Sequence, residues 1–176
     1  VRTYLDGVLA PLVRDPSGAV MRPRTRELLG RLALEADVRI LTGFVEPHFF
    51  AGFSGGPKGL LPGVAGIESI MGNHSFQMLN DPNATWGRTH GNPTWEEMSA
   101  FARLAPPDLL LNVTLNSRRQ ITGVFCGDLW EAHARGVGFE REMAMVAVDA
   151  PFDVVLVTNS GYPLDINLYQ AVKGIS

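Results

Sequence analysis

The sequence predicts an α/β protein in which a sheet is flanked by helices. Short apolar runs of strand length alternate with amphipathic runs of helical period, the pattern of layered α/β folds. A glycine- and proline-rich stretch at residues 43–63 follows directly on one of those strand-like runs. Ligand clefts in open α/β sheets form at such carboxyl ends. The composition is that of a globular chain: of 176 residues, 45% are hydrophobic and 19% charged, with a mean hydropathy of +0.06.

Taken in order, residues 1–22 fit no single pattern, since the strand-like run at 8–13 is broken by Pro11. "TRELLGRLALEA" sets Leu28, Leu29, Leu32 and Ala36 at helical spacing with arginines between them, so an amphipathic helix is expected. "VRILT" follows as a short buried-type strand and opens into the glycine-rich loop. "PTWEEMSAFARLA" begins with Thr94 and Glu97 at capping-box spacing and gathers Trp95, Met98, Phe101, Ala102 and Ala105 on one face. Pro106 and Pro107 stop that helix. "LLLNVT" and "ITGVFCG" are expected to pair as a hairpin across "LNSRRQ". A helix from Asp128 is expected to break at Gly136 and Gly138. "FDVVLVT" reads as a buried strand, with a further helix from about Asp165.

These elements suggest part of one domain over residues 1–137, a connecting helix over 138–149, and the start of a second domain over 150–176. The last stretch is too short to bury a core alone. The chain starts at Val1 and stops within a helical pattern, so a piece of a longer protein is expected. A formal net charge of -3 gives no electrostatic footprint for nucleic acid. No apolar run reaches the ~18 residues that span a bilayer, and no membrane partner is expected. Cys126 is the only cysteine, so no internal disulfide can form, and a reducing, cytoplasmic setting is expected.

The loop "GFVEPHFFAGFSGGPKGLLPG" holds one lysine, Lys58, and one imidazole, His48. The sequence argues against a Walker P-loop, because Pro57 precedes the lysine and Gly59 follows it. Backbone N–H groups near Gly55 and Gly56 could still cradle a phosphate. A solvated surface loop is the plainer alternative, but Phe44, Phe49, Phe50, Phe53, Leu60 and Leu61 are poorly suited to water. A lysine in an apolar cleft is pushed toward its neutral amine and toward covalent chemistry. Of the other histidines, His90 fits a turn, and His133 an ordinary position on a helix. His74 gains interest only by its place after the loop, and no HExxH spacing or cysteine set marks a zinc site.

"PHFFAGFSGGPKGLLPG", together with Asn73 and His74, resembles the lactate racemase family, whose members use a nickel-pincer nucleotide. His48, Lys58 and His74 stand ten and sixteen positions apart, as in that family. "GNP" at 91–93, "LNVTLN", "VFCGD" with His133 soon after, and "YQAVKG" at 169–174 extend the likeness over most of the chain.

The resemblance implies that Lys58 is joined through a thioamide to a pyridinium mononucleotide whose pincer carbon and two sulfurs hold Ni²⁺. It implies that His74 is the fourth nickel ligand and His48 one of two histidines that exchange the hydroxyl proton. Gln170 and Lys173 would bind substrate, Tyr169, Gly55 and Gly56 would contact the cofactor, and Phe50 would line the site. The second histidine, an arginine for the substrate carboxylate and part of the phosphate site are expected upstream of Val1. The expected function is racemisation or epimerisation of a 2-hydroxy acid such as lactate, with this chain inactive alone. Cofactor-building enzymes would be its partners. A relative acting on a sugar acid or a longer hydroxy acid stays open within this reading. The alternative outside it is a non-catalytic nucleotide- or phosphate-binding module that kept the loop.

Overall fold

The structure, a computed structural model, describes residues 30–157 and Gly161. Residues 30–35 are helical, in line with the amphipathic pattern, whose earlier part lies outside the described residues. Strand β1 is Ile40–Phe44, two positions later than "VRILT" suggests. Its start is set by Asp108: the carboxylate accepts the Arg39 N–H at 2.7 Å, and the N–H groups of Asp108 and Leu109 donate to the Arg39 carbonyl. That exchange fixes the parallel register of β1 on β4 (Leu109–Leu115), from Ile40↔Leu109 to Phe44↔Val113. Strand β5 (Ile121–Gly127) returns antiparallel to β4 through the expected hairpin, giving the order β1-β4-β5. Asn116 builds the turn, its side-chain oxygen accepting from the N–H groups of Arg118 and Gln120.

Between β1 and β4 the chain forms a small two-stranded ribbon, β2 (Pro47–His48) with β3 (Gly52–Phe53). A 3-10 turn at Gly56–Gly59 follows, then helices α1 (Ile67–Asn73), α2 (Phe76–Leu79) and α3 (Pro93–Leu104). The last element among the described residues, α4 (Leu129–Ala144), packs on β4 and β5. One core cluster joins Leu110 of β4 to Ala102 of α3, Leu129 and Ala132 of α4, and Leu60 of the loop. A second joins Phe50 and Leu61 to Met98 of α3. The glycine-rich stretch is therefore a packed part of the fold: Phe53 is wholly buried and Leu61 nearly so. Among the described residues no helix is long and apolar enough to cross a membrane.

Three expectations are corrected. The N-cap of α3 is Asn92, whose side chain accepts from the N–H groups of Thr94 and Trp95, so Thr94 and Glu97 do not form the capping box. Thr94 is turned inward and buried, while Glu96 accepts the Gly91 N–H. Helix α4 runs unbroken through Gly136 and Gly138, and residues 138–144, expected in a separate connecting helix, are its last turns. Gly136 is there for packing: a Cβ would come within 3.1 Å of Val45 Cγ2 and 3.3 Å of the Phe125 ring. Residues 152–156 are exposed, and 152–157 are not in a strand, because none of the described strands lies beside them to form a ladder. The helix expected from Asp165, with Tyr169, Gln170 and Lys173, lies outside the described residues.

Candidate active site

Leaving the carboxyl end of β1, the chain places His48 in β2, Phe50 in the ribbon's turn, Lys58 in the 3-10 turn and His74 at the C-cap of α1. The Phe50 ring is where they meet. His48 meets it edge-on, with ring centroids 4.5 Å apart, and His74 does so at 5.0 Å. The Lys58 ammonium stands 5.4 Å from the same centroid, within cation–π range. Phe49 stacks on His48 at 4.9 Å and carries the aromatic surface on to Trp86. Phe50 itself is only 6% exposed, so little of its ring is open to a ligand. It acts as a post that spaces two imidazoles and one amine.

The post is held through its backbone. The Phe50 carbonyl accepts from Asn92 Nδ2 at 2.8 Å and from Thr94 Oγ1 at 3.1 Å, both at the buried start of α3. Asn73, next to His74, donates to the Thr94 carbonyl and to Glu97 Oε2, which ties the end of α1 to α3. Two helices thus fix Phe50 and His74 against each other through buried amides, whose hydrogen bonds are costly to leave unmade.

Each imidazole has a defined face. His74 Nδ1 lies 3.0 Å from the Ile70 carbonyl, so this nitrogen carries the proton and leaves the Nε2 lone pair for a ligand. Burial lowers the His74 pKa, against the pull of the Ile70 carbonyl, and the nearby Lys58 ammonium lowers it further. The neutral, ligating form is favoured. His48 Nδ1 accepts from the N–H of Ala51 at 3.2 Å, with the Phe50 N–H at 3.5 Å. That assigns its proton to Nε2.

The lysine turn rests on Asn112 and His133, which the sequence marks only as parts of motifs, with no role attached. Gly55 and Gly56 have φ of +76° and +54°, the left-handed region that favours glycine. The Gly56 N–H is bound to Asn112 Oδ1 at 2.9 Å, and Gly56 lies flat against the His133 imidazole. Gly56 therefore has no N–H left over for a phosphate, which corrects that part of the cradle expected here. Asn112 carries a detectable signal, a lone amide within an apolar strand: Leu110, Asn112 and Thr114 share the buried face of β4. His133 is marked only by its place after "VFCGD", since an imidazole on a helix is by itself common. His90 is exposed in a turn, as expected.

Comparisons with known proteins point to one family. The lactate racemase N-terminal domain model matches residues 24–87, the span that holds His48, Lys58 and His74. The lactate racemase C-terminal domain model matches residues 147–176. The chain belongs to the lactate racemase family. It is 45% identical over 150 residues to a lactate racemase of Lactiplantibacillus plantarum, covering 85% of this chain and 35% of that protein. It is 43% identical over 148 residues to the lactate racemase of Thermoanaerobacterium thermosaccharolyticum, covering 84% and 34%. The fold matches the lactate racemase apoprotein structure from that organism with a TM-score of 0.78 and 43% identity, over 82% of this chain and 34% of that one. This chain thus spans about a third of the length of the lactate racemases it matches.

Proposed function

We propose that the chain forms the central part of a 2-hydroxy acid racemase or epimerase of lactate type, dependent on a nickel-pincer nucleotide. The convergence of His48, Lys58 and His74 on the Phe50 ring carries this reading. A solvated loop would have no reason to bring an amine and two imidazoles around one buried phenyl group.

The side chains fit such a cofactor. Among the described residues no three His, Cys, Asp or Glu side chains converge as a metal site. A metal held mainly by its own organic ligand asks the protein for little more than one imidazole, and imidazole suits Ni²⁺. His74 Nε2 would be that ligand, and Lys58, half-buried beside an aromatic face, would be the point of covalent attachment. Amide formation there removes a positive charge from an apolar surround, which lowers the cost of burying the side chain. When bound, the group would supply an acceptor for the hydride from the substrate's C2 carbon.

The protein's own part is proton transfer and placement. His48 would move the hydroxyl proton as one of a pair of histidines. With Nδ1 facing two backbone N–H groups, its ring presents Nε2–H, the donor form. To accept a proton at Nε2 the ring would have to carry its own proton on Nδ1, which requires Nδ1 to turn away from those N–H groups. Gln170 and Lys173 would bind the substrate's hydroxyl and carboxylate. We assign residues 1–137 to the cofactor domain and 150–176 to the start of the substrate-contacting one, with cofactor-building enzymes as partners and the cytoplasm as the setting.

The test is interconversion of lactate enantiomers by the full-length protein made alongside cofactor-building enzymes, followed by chiral chromatography. Wild type should racemise lactate or a close 2-hydroxy acid, and Lys58→Arg should not. A loaded wild-type protein inert toward every small 2-hydroxy acid would favour the non-catalytic binding module.

A further inference from the structure

We propose that His133 is a positioning residue for Lys58: with Asn112 it clamps residues 54–56, and that clamp sets the turn presenting the lysine amine to Phe50. The inference rests on reading Lys58 as the point of attachment, and it names the element that aims it. Nothing in the proposed reaction uses His133.

The clamp has two jaws. From α4, His133 Nε2 donates to the Ser54 carbonyl at 3.0 Å, and the imidazole is 3% exposed. From β4, Asn112 Oδ1 accepts the Gly56 N–H. Between them there is no spare room. A Cβ on Gly56 would lie 2.5 Å from His133 Cδ2, and one on Gly55 would lie 2.7 Å from Asn112 Oδ1. The backbone is thus pressed against the ring face while hydrogen-bonded at both ends of a three-residue segment. Lys58 follows two residues later, its own N–H closing the turn on the Gly55 carbonyl. A shift of the clamp must therefore move the lysine.

An imidazole suits the task. A flat ring lets Gly56 approach closely, and a single ring N–H reaches the Ser54 carbonyl from the same residue. The Trp95 indole lies nearly parallel to it, 20° between planes with ring centroids 6.3 Å apart. Burial keeps the imidazole neutral, so its orientation does not change with protonation near neutral pH.

The experiment compares wild type with His133→Gln, which keeps an N–H donor at similar reach, and His133→Phe, which keeps a ring without it. Lys58 and Lys173 are the only lysines in this sequence, so an acylating amine reagent gives two well-separated peptides, with Lys173 as internal reference. In protein made without cofactor-building enzymes, His133→Phe should change the Lys58 labelling rate relative to Lys173 by about fivefold, the weight of one net hydrogen bond. His133→Gln should stay close to wild type. With those enzymes present, the Lys58 adduct should form in wild type and His133→Gln and fall in His133→Phe. Thermal midpoints measured in parallel show that each variant is folded. Equal labelling and equal adduct in folded His133→Phe would overturn the proposal. Should that variant not fold, Asn112→Ser loosens the other jaw, and unchanged Lys58 labelling there would overturn it equally. A wild type without adduct removes the attachment reading alone, because the labelling arm still decides whether His133 aims Lys58.

Discussion

At the scale of single residues, the site depends on which nitrogen of each ring faces inward. His74 turns Nδ1 to the Ile70 carbonyl, and Nε2 is left to act. His74→Ala should therefore lose nickel while the mass added at Lys58 remains, since covalent attachment does not need the imidazole. Unchanged nickel content would place the ligand elsewhere. His48→Ala in the full-length protein should lower racemisation by about 10²- to 10⁴-fold, the usual weight of general acid–base catalysis. Cofactor content should be unaffected, and a drop below about tenfold would make His48 a packing residue. His133 gives a pH prediction. Burial depresses its folded pKa, so the unfolded chain, titrating near ~6.5, binds more protons as the solution acidifies. Its effect on stability is absent above about pH 6.5 and grows as pH falls from there through the folded value. Denaturant titrations between neutral and acidic pH should show a steeper loss in wild type than in His133→Gln. Parallel curves would contradict the assignment.

At the scale of elements, the two glycines of α4 differ in a way that the sequence hides. Gly138 meets nothing within 4 Å, whereas Gly136 is pressed by Val45 and Phe125. Gly138→Ala should stabilise the protein by about 0.5–1 kcal/mol through helix propensity. Gly136→Ala should show no such gain, and a matching rise in both melting temperatures would refute the packing account. The same pair explains why the sequence suggests a broken helix: glycine is a weak breaker, and tertiary contact overrides it. The hairpin was legible because Leu109–Leu115 and Ile121–Gly127 are bounded by a turn whose chemistry is local. The α3 cap was not, since Asn92 and Thr94 are both good cap formers and only the buried hydrogen bond of Thr94 to Phe50 chooses between them. Residues 152–157 show the remaining limit. An apolar run has strand propensity, yet a strand exists only where another supplies its ladder. His48, Lys58 and His74 stand out in the sequence only through the family resemblance, and their meeting on Phe50 depends on contacts from α3 that no local pattern encodes.

At the scale of the whole molecule, the described elements cover the sheet unequally. Helix α4 packs on one side, while Ile40, Phe44, Leu111 and Val124 on the other are 37% exposed or more. A parallel strand pair such as β1 and β4 is usually buried on both faces, so the 176-residue chain should bind a hydrophobic dye strongly. Leu111→Glu should reduce that binding and change stability by less than about 0.5 kcal/mol, as substitutions at exposed positions do. Failure to fold would mean that the face is occupied. The same chain holds the Lys58 amine and the His48 and His74 imidazoles on one aromatic post, and covalent attachment at Lys58 is the claim on which the proposed function depends. Its direct test is the mass of the Lys58 peptide from full-length protein made alongside cofactor-building enzymes. An added mass is expected on that peptide in wild type and none in Lys58→Ala. An unmodified Lys58, in a host where another lactate racemase acquires its adduct, would contradict it.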